Sequence, residues 1–225
     1  MKNILVIGNS SVISKKVCLL GKKKKFKVFS TYFKKKINKG IEFNLDLSDE
    51  DSIKKFIKKI EFLKFDIVII ASAVLVGKGP EKYTRNEIQK VLKTNVIGIS
   101  ILISKIINCF KNNSTLILIS SSSYMNGGYD VIYSISKSLL STLGKSFAKN
   151  FGNKFKTICL LPGLIDGSNQ LKKLSKSRIN YHKKNTPVKK FLKAEDVARI
   201  IFDLHNKHWL SANGAEIKLD GGYKG

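Results

Sequence analysis

The sequence predicts an α/β fold: a Rossmann-type doubly wound parallel sheet of about seven strands with helices on both faces. Short apolar runs such as Ile4–Ile7 and Ile67–Ile70 recur along the chain, as in strands that are buried on both faces. Helical patterns separate these runs, and this alternation is typical of a parallel sheet. The length of 225 residues suits a single nucleotide-binding domain over residues 1–225.

The strands are predicted where apolar runs stop at glycine, serine, proline or small residues. They are Ile4–Ile7, Phe26–Thr31, Phe43–Leu47, Ile67–Ile70, Thr115–Ile119, Phe155–Leu161 and Ala215–Leu219. The helices are predicted from apolar periodicity and from acids in the first turn. They are Val12–Leu20, a helix capped by Ser48, one long helix Glu87–Phe110, Tyr133–Phe151 and Ala194–His205.

The first strand, its glycine and the following helix resemble the phosphate-binding start of a dinucleotide fold. Gly8 ends the strand, and the turn residues that follow include Ser10 and Ser11. The usual pattern has three glycines, but Val12 and Ser14 occupy the second and third positions. The helix N-terminus that would meet a pyrophosphate is still predicted, so cofactor binding is expected to be retained but weakened.

The end of the second strand bears on the choice of cofactor. An acid there would bind the ribose hydroxyls of NAD, and this chain has none. Lys34 and the next two lysines follow instead and could pair with a 2′-phosphate, which favours NADP(H) over NAD(H). A solvated lysine run is the alternative.

The stretch Ser120–Lys137 carries the clearest chemical signal. Tyr133 and Lys137 are four residues apart on a predicted helix and therefore share one face. A cation close to a phenol lowers its pKa, and a phenol tuned in this way can exchange a proton with a substrate oxygen. Ser120, Ser121 and Ser122 end the preceding strand, and one of these hydroxyls could hold the same oxygen.

Composition limits the other classes of function. The formal net charge is +26, but only three of the 42 basic residues are Arg, and neither a nucleic-acid-binding motif nor aromatic–basic interleaving is present. We expect no nucleic-acid or membrane partner and no metal site. Three widely spaced cysteines predict a reducing, cytoplasmic location. The lysine-rich segment 168–186 lacks strong periodicity and is interpreted as a substrate lid or mobile loop.

Taken in order, these motifs resemble the short-chain dehydrogenase/reductase family in its single-domain form, along nearly the whole chain. They are Tyr133–Lys137 (YxxxK), Ile119–Ser121, Lys93–Val96, Asp46–Leu47, Pro162–Gly163, Ala194–Ala198 and the segment Gly214–Gly222. The small residues Ala71, Ser72 and Ala73 replace the usual turn after the fourth strand.

The resemblance implies a role for each matching residue. Tyr133 would be the general acid/base, Lys137 would lower its pKa and hold the nicotinamide ribose, Ser121 would orient the substrate, and Asn95 would hold a water that connects Lys137 to solvent. Further cofactor contacts would come from Gly8, Ser10, Ser11, Ile13, Lys34, Asp46, Leu47, Ala71, Ser72, Ala73, Pro162, Gly163 and Ile165.

Two functions stay open at this point. The first is an NADP-dependent oxidoreductase that interconverts a carbonyl and an alcohol, with a small substrate that the basic surface would suit if it were anionic. The alternative is a catalytically weak or inactive nucleotide-sensing or interaction protein. Apolar residues beyond one sheet-facing stripe on Glu87–Phe110 and Tyr133–Phe151 predict a homodimer or homotetramer.

Overall fold

The computed structural model describes residues 1–36 and 40–224 and contains one parallel sheet of seven strands. The strands are β1 (Asn3–Ile7), β2 (Lys27–Tyr32), β3 (Ile41–Asn44), β4 (Phe65–Ile70), β5 (Phe110–Ile119), β6 (Phe155–Pro162) and β7 (Glu216–Leu219). Their spatial order is β3-β2-β1-β4-β5-β6-β7, and every neighbouring pair is parallel. The predicted fold class is confirmed.

Helices cover both faces of the sheet. They are α1 (Val12–Lys23), α2 (Glu50–Ile60), α3 (Arg85–Leu92), α4 (Gly98–Lys105), α5 (Ser123–Asn126), α6 (Val131–Phe151), α7 (Asn169–Lys172), α8 (Lys176–Lys184) and α9 (Ala194–Asp203). One apolar cluster joins the sheet to α2, α4 and α6, and the other joins it to α1 and α9. Because successive side chains of a strand point to opposite faces, the fully buried Leu5 and Val6 belong to different clusters.

The predicted long helix Glu87–Phe110 is wrong in two respects. Residues Lys93–Ile97 form a π-helical turn between α3 and α4, and Phe110 is the first residue of β5. Phe110 pairs with Phe65 in the sheet and stacks on Phe155 with 4.3 Å between ring centroids. Apolar periodicity cannot separate a buried helix end from a buried strand start when both are apolar.

Two predicted element boundaries also shift. The third strand lies at Ile41–Asn44 instead of Phe43–Leu47. The cap of α2 is Asp49, whose side chain accepts a hydrogen bond from the Asp51 amide, whereas Ser48 donates to the Asp46 carboxylate. An aspartate followed by a serine can form its own local turn, and that turn replaces the predicted serine cap.

The segment interpreted as a loop contains two helices, so that part of the prediction is wrong. Ser168 and Ser175 cap α7 and α8 by accepting from the Leu171 and Arg178 amides. No residue of α8 is buried. Periodicity fails here because a helix that buries none of its side chains needs no apolar stripe.

Candidate active site

The cofactor half of the site lies where the strand order reverses, between β1 and β4. Ligands of doubly wound sheets bind outside the carboxyl ends of the strands at such a position. A cavity at this edge is lined by Ile7, Gly8, Asn9, Ser10, Thr31, Tyr32, Phe33, Leu45, Leu47 and Ser72. Gly8 has φ +87°, and a Cβ there would lie 2.8 Å from the Ser72 Cα, so only glycine fits this crossing.

Two serine side chains stabilise the phosphate loop, in which Ser14 replaces the third glycine of the usual pattern. Ser11 caps α1 by accepting from the Ser14 amide at 3.0 Å, and the two hydroxyls are 2.8 Å apart. The Ser14 hydroxyl is fully buried and lies 2.6 Å from the Gly8 carbonyl oxygen, to which it donates. The loop therefore closes on itself, and the α1 N-terminus, with no acid in its first turn, retains the amides that suit a pyrophosphate.

The adenosine end of the cavity contains an unpaired acceptor. Asn9 is fully buried; its Nδ2 donates to the Glu42 carboxylate, while its Oδ1 has no hydrogen-bond partner. An unpaired buried acceptor suits a donor such as a ribose hydroxyl or an adenine amino group. Neither residue is predicted from the sequence as a site residue, since Glu42 approaches Asn9 only through the pairing of β3 with β2.

The remaining predicted cofactor residues divide by location. Leu47 and Ser72 line the cavity, whereas the Asp46 carboxylate accepts from the Ser48 amide at 2.8 Å and its hydroxyl at 2.6 Å. Lys34 is exposed, with Nζ 5.9 Å from the Phe33 ring centroid at the rim of the cavity. Lys34 thus lies beside this cavity and has no carboxylate partner among the described ion pairs.

The other residues predicted to contact the cofactor have mostly structural roles. The side chain of Ile13 packs in the core on the α1 side, as does Ile165, which pairs with Leu192 through one isolated bridge. Pro162 ends β6, and its carbonyl accepts from the Ser122 amide at 3.1 Å. The Gly163 amide donates to Leu219, and a Cβ at Gly163 would lie 2.9 Å from the Asp220 Cβ.

The three serines after β5 have different surroundings. Ser120 is buried and donates to the Lys137 carbonyl at 2.8 Å, so it holds α6 against the strand. Ser122 is buried and stands directly before α5. The Ser121 hydroxyl accepts from the Ser123 amide at 3.2 Å and lies close enough to the Tyr133 phenol to lower the pKa of that phenol. The predicted choice of Ser121 fits this geometry.

Tyr133 and Lys137 lie together on α6, as predicted, but the net shift of the Tyr133 pKa is upward and not downward as expected. Burial, and secondarily the Asp130 carboxylate, raise the pKa of Tyr133 to about 12, while the nearby Ser121 hydroxyl opposes this rise. Lys137 Nζ lies 5.5 Å from the Tyr133 ring centroid and donates to the Ile119 carbonyl at 2.7 Å. Burial lowers the pKa of Lys137 to about 8.

Asn95 is turned inward by the π-helical turn and is buried. Its Nδ2 donates to the Val74 carbonyl at 2.7 Å and to the Ser136 hydroxyl at 3.0 Å, and its Oδ1 accepts from the Val74 amide at 2.8 Å. Both amide hydrogens are therefore used in holding the chain after β4 against α6. Any water held by the side chain would have to donate to Oδ1.

The face of α6 beneath the site is packed closely, as the sequence predicts. Leu140, Gly144 and Ala148 are turned toward the sheet, and a Cβ at Gly144 would lie 2.5 Å from the Cys159 Sγ. This contact brings the α6 backbone against β6 and thereby sets the distance between Tyr133 and the ends of the strands. Any side chain at position 144 would push α6 outward.

Asp130 is a site residue that the sequence analysis missed. It caps α6 by accepting from the Tyr133 amide at 3.2 Å, and it also accepts from the Tyr83 hydroxyl at 2.8 Å. The available signal was an aspartate directly before the apolar pattern of a helix, which indicates a cap. The contact with Tyr83 spans 47 residues and has no local signature.

The comparisons with known proteins agree with this geometry. A family model described as enoyl-(acyl carrier protein) reductase matches residues 16–224. The chain belongs to the short-chain dehydrogenase/reductase family. It is an NAD(P)-dependent enzyme of that family, which confirms the resemblance inferred from the motifs.

Two curated relatives are named 3-oxoacyl-[acyl-carrier-protein] reductase FabG. The protein from Buchnera aphidicola subsp. Schizaphis graminum is 28% identical over 98% of this chain and 87% of its own length. The one from Buchnera aphidicola subsp. Acyrthosiphon pisum is 30% identical over 81% of this chain and 77% of its own. A short-chain dehydrogenase from Burkholderia cenocepacia J2315 in complex with NADP superposes with a TM-score of 0.89 at 18% identity, covering 98% of this chain and 97% of that one.

Three further observations concern the described part of this short-chain dehydrogenase/reductase. None of its helices is long and apolar enough to cross a membrane. Residues 1–36 and 40–224 contain no group of His, Cys, Asp or Glu side chains that could hold a metal ion. Cys18, Cys109 and Cys159 are free and buried.

Proposed function

We propose that this chain is an NADP-dependent reductase that converts a 3-oxoacyl thioester to the 3-hydroxyacyl thioester, with Tyr133 as general acid. The observation that carries the proposal is the pairing of Tyr133 with Lys137 on α6, whose Nζ lies 5.5 Å from the Tyr133 ring centroid, with the Ser121 hydroxyl close to the phenol. The names of the two curated relatives suggest the substrate class, and the net charge of +26 suits an anionic carrier.

The cavity and the α1 N-terminus fit a dinucleotide, on the evidence of the Gly8 crossing and the unpaired Asn9 oxygen. When bound, the nicotinamide supplies the hydride. Ser121 and Tyr133 hold the substrate oxygen, and Tyr133 donates its proton to that oxygen as negative charge develops there. Lys137 is charged at neutral pH and stabilises the phenolate that remains.

The protonation states favour the reductive direction. Because the pKa of Tyr133 is raised to about 12, its phenol carries its proton at pH 7 and acts as an acid. Oxidation of an alcohol would require the phenolate as base, and that form is scarce at neutral pH when the pKa is so high. We propose reduction as the physiological direction, because the two curated relatives are named reductases.

We propose NADP(H) over NAD(H) on the ground that Lys34 is exposed beside the adenosine end of the cavity. The complex of the Burkholderia cenocepacia neighbour with NADP supports the same choice. We also propose that residues 1–225 act as one domain, with helices α7 and α8 as the lid within residues 168–186. Arg178 of α8 already reaches the Tyr129 ring, at 5.1 Å from its centroid, close to the start of α6.

Assembly and location complete the proposal. Ile97, Val131, Ile135 and Leu139 are exposed on the π-helical turn and α6, and we propose that they pair two copies of the chain in a homodimer or homotetramer. Three free cysteines suit the reducing cytoplasm, where we place the enzyme.

The test is NADPH consumption by the purified full chain with acetoacetyl-coenzyme A, followed by absorbance. Parallel reactions contain a small unactivated ketone or a keto-sugar nucleotide. We expect the thioester to give the highest kcat/KM. A higher value for either alternative replaces the substrate class while leaving the reductase intact. If neither wild type nor Val12→Gly binds NADPH at millimolar concentration, the chain is instead an interaction protein. The motive for testing this outcome is the replacement of glycine at positions 12 and 14.

A further inference from the structure

The segment from Val74 to Tyr83 borders the active site and has little structure of its own. Apart from the short turn Pro80–Lys82, it contains no regular secondary structure. Besides the ion pair of Lys78 with Glu87 on α3, contacts with side chains from other elements hold it in two places. Asn95 binds both backbone groups of Val74 and bridges to Ser136 on α6. The second attachment is the carboxylate of Asp130.

The Asp130 carboxylate accepts three hydrogen bonds from three parts of the chain. Oδ2 accepts from the Gly77 amide at 2.6 Å, and Oδ1 accepts from the Tyr83 hydroxyl at 2.8 Å and from the Tyr133 amide at 3.2 Å. The Tyr83 oxygen in turn accepts from the Ile132 amide at 3.3 Å. One buried carboxylate thus joins the segment to the first turn of the helix that carries the phenol.

A carboxylate that only caps a helix does not need these additional hydrogen bonds. Asp49 caps α2 with a single side-chain contact to the Asp51 amide, and it is exposed. Asp130 is only 9% exposed and adds two partners from a segment 47 to 53 residues earlier in the chain. A buried carboxylate must have its acceptor sites filled, so loss of either oxygen leaves the Gly77 amide or the Tyr83 hydroxyl without its partner.

We propose that Asp130 and Tyr83 are positioning residues of the active site, which lock the segment Val74–Tyr83 to α6 and fix the phenol of Tyr133 against Ser121. This inference rests on the proposed function, because it assigns a task to Tyr133. The coupling runs both ways: a shift of the segment moves the first turn of α6, and a shift of that turn releases the segment.

The charge of Asp130 adds an electrostatic consequence. The titratable and charged groups that face this region are Asp130 and Lys137 on α6, Tyr83 and Lys78 on the segment, Glu87 on α3, Cys159 on β6 and Arg178 on α8. Lys78 and Glu87 pair with each other at 2.6 Å. Burial raises the pKa of Cys159 to about 12, so its thiol is uncharged at neutral pH. Asp130 therefore supplies the negative charge that opposes the phenolate.

Two substitutions separate geometry from charge. Asp130→Asn removes the charge and at least one of the three bonds, whereas Tyr83→Phe removes the bond to Asp130 and the bond from the Ile132 amide but keeps the charge. The matched control is Asp49→Asn, an aspartate cap of a helix that carries none of these contacts. We expect Asp130→Asn to lower kcat about tenfold and to move the alkaline limb of the pH–rate profile to lower pH, because the negative charge that raises the Tyr133 pKa is removed. Tyr83→Phe should lower kcat without moving the limb.

The outcomes that test the roles of Asp130 and Tyr83 differ from those that test the proposed reductase function. With an active wild type, an Asp130→Asn protein that keeps both kcat and pH profile overturns the inference, as does a kcat loss in Tyr83→Phe no larger than in Asp49→Asn. If the wild type reduces no carbonyl, the proposed function fails, and hydrogen exchange of residues 74–84 decides the coupling. Faster exchange in Asp130→Asn and Tyr83→Phe than in Asp49→Asn supports it, and equal exchange overturns it.

Discussion

The ammonium of Lys137 donates to the backbone carbonyl of Ile119 at 2.7 Å, and only 2% of the Lys137 residue is exposed. The charge of this lysine is thus buried at the end of the strand that leads to Ser121. Burial lowers its pKa to about 8, because a charged ammonium loses hydration that one carbonyl cannot replace. The arrangement costs stability while it places a cation beside the phenol.

The first prediction is that Lys137 makes stability depend on pH above 8. The folded pKa is about 8 and the ordinary lysine pKa is 10.5, so the unfolded chain binds more protons between these values and stability rises with pH. The wild type should therefore gain up to about 3 kcal/mol relative to Lys137→Met between pH 8 and 10.5. Urea unfolding at several pH values measures this difference. A difference that stays constant with pH would show that Lys137 has no depressed pKa.

The second prediction concerns the phenol. Tyr133→Phe should lower kcat by about 10²–10⁴-fold, because it removes the proton donor and little packing. The dissociation constant for NADPH, measured by calorimetry, should change less than about threefold. Tyr129→Phe is the matched control, since Tyr129 is exposed and makes its described contact through its ring, which the substitution keeps. Retention of near-wild-type turnover in Tyr133→Phe would remove Tyr133 from the mechanism.

The third prediction is tighter binding of NADPH than of NADH, with Lys34 as a contributor. Lys34→Ala should weaken NADPH binding by about fivefold and leave NADH binding unchanged, since a charged hydrogen bond to phosphate is lost only with the former. Lys59→Ala, an exposed lysine on α2, serves as control. Calorimetric titration of both cofactors measures the effect, and tighter binding of NADH to wild type would refute the preference.

The fourth prediction contrasts the two replaced glycines of the phosphate loop. Val12→Gly should strengthen NADPH binding by about 1 kcal/mol, the scale of one relieved steric defect beside the backbone. Ser14→Gly should weaken it, because the buried Ser14 hydroxyl holds the Gly8 carbonyl and the Ser11 hydroxyl. If Ser14→Gly binds NADPH more tightly than wild type, the serine obstructs the loop and does not support it.

The fifth prediction is that light scattering finds a homo-oligomer at micromolar concentration. Ile135→Lys and Leu139→Glu should each shift the enzyme toward the monomer, because a charge in an apolar contact loses hydration without gaining a partner. Leu19→Glu is the control, since Leu19 is similarly exposed, at 51%, on the opposite side of the sheet. A monomeric wild type would leave the exposed α6 residues without this role.

Local sequence carried enough information for the sheet and for the residues that bear the chemistry. Buried parallel strands must be continuously apolar, so Ile4–Ile7 and Ile67–Ile70 were recognisable without a structure. The four-residue spacing of Tyr133 and Lys137 fixes a shared helix face, and a strand that ends in serine brings Ser121 to the same edge. These features depend on neighbours in sequence or on one rule of chain geometry.

Tertiary structure decided what depends on distant partners. The packing of α6 on β5 occupies Ser120 with the Lys137 carbonyl, whereas Ser121 as the substrate-orienting serine stays a prediction. The raised pKa of Tyr133 and the lowered pKa of Lys137 follow from burial, and spacing along a helix carries no information about burial. The Asp130–Tyr83 bond joins residues 47 apart, so only the folded chain reveals it.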